Sequence, residues 1–129
     1  MKPIEVVAAI IKKDNKILCT QRPDKGETAL KWEFPGGKLE DGESNEEALV
    51  REIKEELEIE VKICNYLMTV NHQYSSFDLV MHGYVCKAAD EEIVLNEHVD
   101  SCWLDVEELA SLDWAEADKP IVEKLMKNN

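Results

Sequence analysis

Residues 44–57, SNEEALVREIKEEL, fit an amphipathic helix, and that helix dictates much of what the rest of the chain must do. Ser44 followed three residues later by Glu47 is a capping box, in which each residue satisfies a backbone N–H of the other. Ala48, Leu49, Ile53 and Leu57 recur with the helical period and form an apolar stripe that needs a core to cover it. Glu52, Glu55 and Glu56 stand at i, i+3 and i+4, on one face and within one turn. Like charges at that spacing repel by a few tenths of a kcal/mol per pair, a term whose sign a cation reverses. Hard divalent ions take oxygen ligands and keep some waters, which a phosphate can replace. The pattern therefore points to a metal cage built for a polyphosphate. An acidic face that merely meets water is the plain alternative for the glutamates taken alone.

Around this helix the chain alternates strands and turns. Residues 4–12 read as a largely buried strand, Asn15-Lys16 as a turn, and residues 17–22 as a second strand. Residues 23–31 form a polar loop with proline and glycine. A short strand over 32–34 feeds a Pro35-Gly36-Gly37 turn. Two long strands, 61–74 and 77–89, meet near Ser75-Ser76, and 101–104 is another strand. Asp105 with Glu108 caps a short helix, and Pro120 opens a last one that runs to Lys127. Hairpins mixed with a crossing helix predict an α/β sandwich with a mixed sheet. There is no repeat, low-complexity tract or linker, and 129 residues suit a single domain over 1–129.

Charge and hydropathy exclude several roles. The net charge is −13, from 15 basic and 28 acidic residues. Long nucleic acids are held by lysine and arginine on phosphate, so no long nucleic acid is expected as a partner. The longest apolar run, 6–11, is too short to span a bilayer, so no membrane partner is expected either. The N-terminus lacks a signal-peptide core and cleavage site, which makes the cytoplasm the expected location. The four cysteines, Cys19, Cys64, Cys86 and Cys102, form no C-x-x-C pair and all fall in predicted strands, so buried reduced thiols are expected. Of His72, His82 and His98, the last follows Glu97 in a loop expected to border the site and is the histidine expected to matter most.

The segment from Gly37 to Ile59 resembles the signature of the Nudix hydrolases, Gly-x5-Glu-x7-Arg-Glu-U-x-Glu-Glu-x-Gly-U with U aliphatic, through Gly37, Glu43, Arg51, Glu52, Ile53, Glu55, Glu56 and Ile59. Glu58 departs from it, standing where the family has glycine. That glycine closes the helix in the left-handed region, where a Cβ costs roughly 1 kcal/mol, so a shifted or longer helix end is expected here. The likeness covers nearly the whole chain. Residues 4–11 (IEVVAAII), Gln21-Arg22-Pro23 and Trp32-Glu33-Phe34-Pro35-Gly36-Gly37 are similar to the MutT-like branch, and within it to the CTP pyrophosphohydrolase type.

The resemblance implies the Nudix fold, an α/β/α sandwich with a mixed β-sheet. It implies cleavage of nucleoside triphosphates to monophosphate and pyrophosphate with Mg2+ or Mn2+, acting on modified nucleotides such as 8-oxo-dGTP or modified dCTP. The Gly36 carbonyl, Glu52 and Glu56 would bind metal, with Glu55 close by or sharing an ion, and Glu97 would reach the same cluster. Arg22 and Lys38 would contact phosphate. Glu33, Phe34, Pro35 and Gly36 would border the nucleotide cleft, and Asp118 would read the base edge. Asp118 could instead cap the last helix. Arg51 and Glu43 are expected to brace the loop, and Trp32 to belong to the core.

For the proton abstraction from water, Glu52 is the first choice of base. Glu97 is the second, on a mobile loop that closes over substrate. Competing readings are hydrolysis of ADP-ribose or a dinucleoside polyphosphate, and a non-catalytic nucleotide-binding regulatory module. ADP-ribose enzymes of the family tend to carry a proline downstream of the box, whereas this chain has Gln73-Tyr74-Ser75-Ser76. Every box carboxylate is present, which argues against a dead module. A monomer and a homodimer are equally compatible with the sequence.

Overall fold

The computed structural model describes residues 2–89 and 92–128. Its first strand, β1 (Ile4–Lys13), is the centre of the molecule. Val7, Ala9 and Ile11 face one apolar cluster while Ala8 and Ile10 face another, and all five are buried. A strand with both faces apolar must be covered on both sides. The sheet has seven strands, adding β2 (Lys16–Gln21), β3 (Trp32–Glu33), β4 (Gly36–Lys38), β5 (Val61–Gln73), β6 (Asp78–Ala88) and β7 (Asp100–Leu104). The main path is β3-β2-β1-β6-β5, with β4 on β1 and β7 on β2. β1 and β6 run parallel from Ile4↔Leu79 to Lys12↔Lys87, and every other pair is antiparallel. The sheet is mixed, as expected.

One face is covered by α1 (Asn45–Leu57), whose Ala48, Leu49, Ile53 and Leu57 are fully buried. Burying a leucine or isoleucine is worth about 1.5–3 kcal/mol, so this stripe holds the helix in place. Ser44 and Glu47 form the expected capping box. The other face is covered by α2 (Lys119–Lys127), through Ile121, Val122 and Leu125, together with 3-10 turns at Val106–Ser111 and Glu116–Asp118. Two helical layers around one sheet complete the α/β/α sandwich.

Three local expectations are corrected. The Gly36-Gly37 pair is not a turn but the strand β4, paired with β1 through Ala8↔Gly36 and Val7↔Gly37. Its glycines are required by close approach: a Cβ on Gly36 would strike the Val7 carbonyl, and one on Gly37 the Glu52 carboxylate. The helix end is neither shifted nor extended. Glu58 itself takes the left-handed conformation, φ 56 and ψ 36, at the C-cap. The cysteines are all free, but only Cys19 and Cys86 are buried, and burial pushes the Cys86 thiol up to about 12. Cys64 is exposed, because it lies at a register shift of the edge strand β5 between Ile63 and Asn65.

Candidate active site

The glutamates of α1 do not share one environment, although their spacing puts them on one face. The side chain of Glu56, next to the buried Leu57, is only 2% exposed. Glu55 is 56% exposed, and Glu52 lies between them at 15%. Glu56 is thus built into the protein rather than turned outward. Gly36 donates its backbone N–H to it, and His98 Nε2 stands 3.9 Å from its Oε1. Its Oε2 is buried with no hydrogen-bond partner. Burial first, then the charges of Glu97, Glu33 and Glu52, push its carboxyl up to about 9. Glu52 is raised mainly by burial, against the pull of Arg51, whose Nη1 donates to it at 2.8 Å.

Arg51 braces the loop, as expected. Its Nε and Nη2 grip Glu43 at 2.6 and 2.8 Å, Nη2 also reaches the Lys38 carbonyl, and Nη1 touches Glu55 at 3.3 Å. Glu43 in turn accepts the Glu40 N–H. These bonds hold the Glu43 carboxyl at about 2, with the Arg51 bonds the largest cause.

A cleft of about 890 Å3 runs from this carboxylate end to an apolar end. Glu52, Glu56, Glu97, Gly36 and Lys38 border one side, and Phe34, Tyr74, Phe77, Leu79, Met81 and Asp118 the other. Glu33 and Arg22 stand between: Arg22 Nη1 donates to Glu33 Oε1 at 3.1 Å, and His98 Nε2 meets Glu33 Oε2 at 2.9 Å. Arg22 Nε and His98 Nδ1 are buried without partners. Asp118 is buried, accepts the Phe34 N–H at 3.0 Å, and makes no side-chain bond to its own helix. The cap reading is therefore set aside. Burial, and then the charge of Glu33, raise its carboxyl well above the ordinary value.

The structure thus gathers Arg22, Glu33, Phe34, Gly36, Lys38, Glu52, Glu56, Glu97 and Asp118 around one cleft. Two predicted residues stand off its surface. The Pro35 carbonyl accepts the Ala9 N–H at 2.8 Å, and Glu55 faces Arg51. Trp32 packs against the core, as expected. Sequence reasoning missed Lys25 at the cleft and Glu27, which accepts from Ser75 N, Ser76 N and Ser76 Oγ across 48 and 49 residues. Nothing local to Glu27 signals those partners. Tyr74 lines the cleft and accepts the Ala117 N–H through its hydroxyl.

A divalent cation fits this donor set. Among the described residues no three acidic, histidine or cysteine side chains close around one point. However, Mg2+ is ordinarily held by one or two carboxylates, with water and substrate phosphate completing the shell. The unpaired, buried Oε2 of Glu56 among repelling carboxylates is the observation that supports the fit.

A mixed sheet between helical layers, with this carboxylate helix beside a glycine strand, defines the class. The NUDIX domain family matches over residues 6–124, and the chain belongs to the Nudix hydrolase family. It is 40% identical over 126 residues to the CTP pyrophosphohydrolase of Escherichia coli (strain K12), covering 98% of this chain and 93% of that one. It is 38% identical over 102 residues to the 8-oxo-dGTP diphosphatase of Proteus vulgaris, covering 78% and 89%. A solved structure of a MutT protein of the Nudix hydrolase family, from methicillin-resistant Staphylococcus aureus 252, superimposes with a TM-score of 0.81 at 43% identity, covering 99% and 98%. No helix of the described residues is long and apolar enough to cross a membrane.

Proposed function

We propose that residues 1–129 form one Nudix domain that hydrolyses a nucleoside triphosphate to the monophosphate and pyrophosphate, with a pyrimidine or an oxidised purine as base. The observation that carries this reading is a single cleft joining a carboxylate end to a pocket bordered by Phe34, Tyr74 and the buried Asp118.

Glu52, Glu56, Glu97 and the Gly36 carbonyl would hold Mg2+ or Mn2+. Glu55 joins that set only by leaving Arg51. A bound divalent ion would screen the triphosphate and lower the pKa of a coordinated water. Arg22 and Lys38, with Lys25 beside them, face the phosphates, and the unpaired Arg22 Nε offers a donor to an oxygen there. Glu52, oriented by Arg51, accepts the proton of the attacking water, and Glu97 is the second candidate for that role. The anhydride bond between the α- and β-phosphoryl groups breaks, and the water oxygen completes one of the two products.

At the other end, a buried carboxyl raised as Asp118 is favours its acid form. It then offers one O–H donor beside acceptor lone pairs. That pair complements adjacent donor and acceptor atoms on a base, such as the cytosine amino group and N3, or N7–H and O6 of 8-oxoguanine. Ordinary guanine presents two acceptors, N7 and O6, on that edge. A site that hydrogen-bonds its substrate rejects analogues that leave a buried polar group unpaired. The test is pyrophosphate release from a panel of normal, methylated and oxidised triphosphates with Mg2+. Cytosine nucleotides and 8-oxo-dGTP should rank above dGTP. A flat ranking would contradict the assignment of Asp118.

A further inference from the structure

The end of α1 and the segment before Glu97 are joined by a set of hydrogen bonds that the motif does not account for. A helix finishes with four carbonyls that lack intrahelical donors. Here each finds one. Glu58 N–H donates to Lys54 O at 3.0 Å, Asn96 Nδ2 to Glu55 O at 2.8 Å, Asn96 N–H to Glu56 O at 3.0 Å, and Val94 N–H to Leu57 O at 3.0 Å. Asn96 Nδ2 also donates to Glu58 Oε2 at 3.0 Å. Both protons of that amide are therefore spent on the helix end. The acceptor belongs to the residue that holds a left-handed conformation where glycine would sit without strain. A glycine there would have no carboxylate to offer.

On the far side of Glu97 the chain is anchored again. His98 is buried against Glu33, and Val99 N–H donates to Gln21 O at 3.0 Å. Glu97 thus stands between two hydrogen-bonded neighbours, beside Glu52 and Glu56.

We propose that Glu58 and Asn96 form a clamp that fixes Glu97 against the end of α1, and that both are positioning residues for the hydrolytic site. The positioning role rests on the reading of Glu97 as a working carboxylate of that site.

The full-length chain provides the test through Glu58→Gly, Glu58→Gln, Asn96→Ala, Glu97→Gln and the double variant Glu58→Gly/Glu97→Gln. Two readouts are taken: amide hydrogen exchange over residues 94–99, and kcat and KM for CTP with Mg2+. Loss of a hydrogen bond to a charged group should speed exchange in that segment roughly tenfold in Glu58→Gly and Asn96→Ala. Misplacing Glu97 should lower kcat by roughly 3- to 10-fold, with KM within about twofold. The melting temperature of Glu58→Gly should not fall, because the positive φ is relieved, and this separates positioning from stability. Glu58→Gln retains an acceptor oxygen and should restore both readouts. In the double variant, Glu58→Gly should add nothing to the loss caused by Glu97→Gln.

Unchanged exchange in both Glu58→Gly and Asn96→Ala would overturn the clamp, whatever Glu97 does. Additive losses of kcat in the double variant would overturn the positioning role. Faster exchange together with wild-type kcat in Glu97→Gln would uphold the clamp and reject only the catalytic reading of Glu97.

Discussion

Glu52, Glu55 and Glu56 belong to one motif, and the structure assigns them three different situations. Residue identity and spacing were legible in the sequence, because the helical period is a local property. Depth was not, since it depends on what the sheet lays against α1. Glu52 is half-sheltered and held by Arg51, so Glu52→Gln should keep its shape and lose the base. We expect kcat to fall by roughly 10²- to 10⁴-fold with little change in melting temperature, and a near wild-type rate would remove Glu52 from that role. Glu56 leads to a pH prediction. Its folded carboxyl, at about 9, lies above the ordinary 4.5. Its contribution to stability is therefore full below the unfolded value and is lost as pH rises through the folded one. A bound cation replaces that proton. Thermal melts should show a larger gain from Mg2+ near pH 8.5 than near pH 5.5, and Glu56→Gln should abolish the difference. Equal gains at both pH values would contradict this account of Glu56. For Asp118, a carboxyl can carry its proton on either oxygen, whereas the amide of Asp118→Asn has its donor fixed on nitrogen and offers two N–H groups. We expect the ranking of bases to shift while metal dependence stays as it was. A lower melting temperature with an unchanged ranking would make Asp118 a structural residue only.

At the scale of elements, α1 was the most readable part of the chain, because its cap and its stripe are both local signals. From sequence the glycine pair reads as a turn, since glycine most often marks one. Its actual role is to let β4 lie against β1 on one side and Glu52 on the other, and that crowding exists only in three dimensions. The clasp between the loop after β2 and the β5–β6 hairpin was invisible for the same reason. Glu27 accepts three hydrogen bonds from the hairpin tip and so fixes a loop that carries Pro23, Lys25 and Thr28 to the cleft. Those bonds, first to Ser75 and then to Ser76, hold its carboxyl at about 2. A depressed carboxyl contributes above its unfolded pKa, and the contribution is lost as pH falls through the folded value. The clasp should thus open between about pH 4.5 and pH 2, seen as faster hydrogen exchange over residues 23–31. At neutral pH, Glu27→Ala should raise KM for the triphosphate by roughly severalfold and leave kcat unchanged, because a loop ordered before binding costs less to order on binding. A change confined to kcat would contradict the clasp. In the core beneath, Leu49→Ala should cost about 2–5 kcal/mol in denaturant unfolding.

For the whole molecule, the unbroken apolar run along β1 implies a largely buried strand, and hairpins mixed with a crossing helix imply the sandwich. The order of strands could not be read, because a parallel β1–β6 pair joins segments some 75 residues apart in register, Ile4 with Leu79. That pairing brings Leu79 and Met81 of β6 to the same cleft as Val6 and Ala8 of β1, while α1 delivers its glutamates from the opposite layer. The chain carries a net charge of −13, yet the cleft gathers Arg22, Lys25 and Lys38 among its carboxylates. This distribution suits a small polyanion that arrives with a metal ion, and it suits a long nucleic acid poorly. The most direct test of this account is the identity of the products when CTP or 8-oxo-dGTP is incubated with the protein and Mg2+ and followed by phosphorus NMR. Nucleoside monophosphate and pyrophosphate should appear together, and a chelator should stop both. Release of orthophosphate with a nucleoside diphosphate, or an undiminished rate in chelator, would contradict the account.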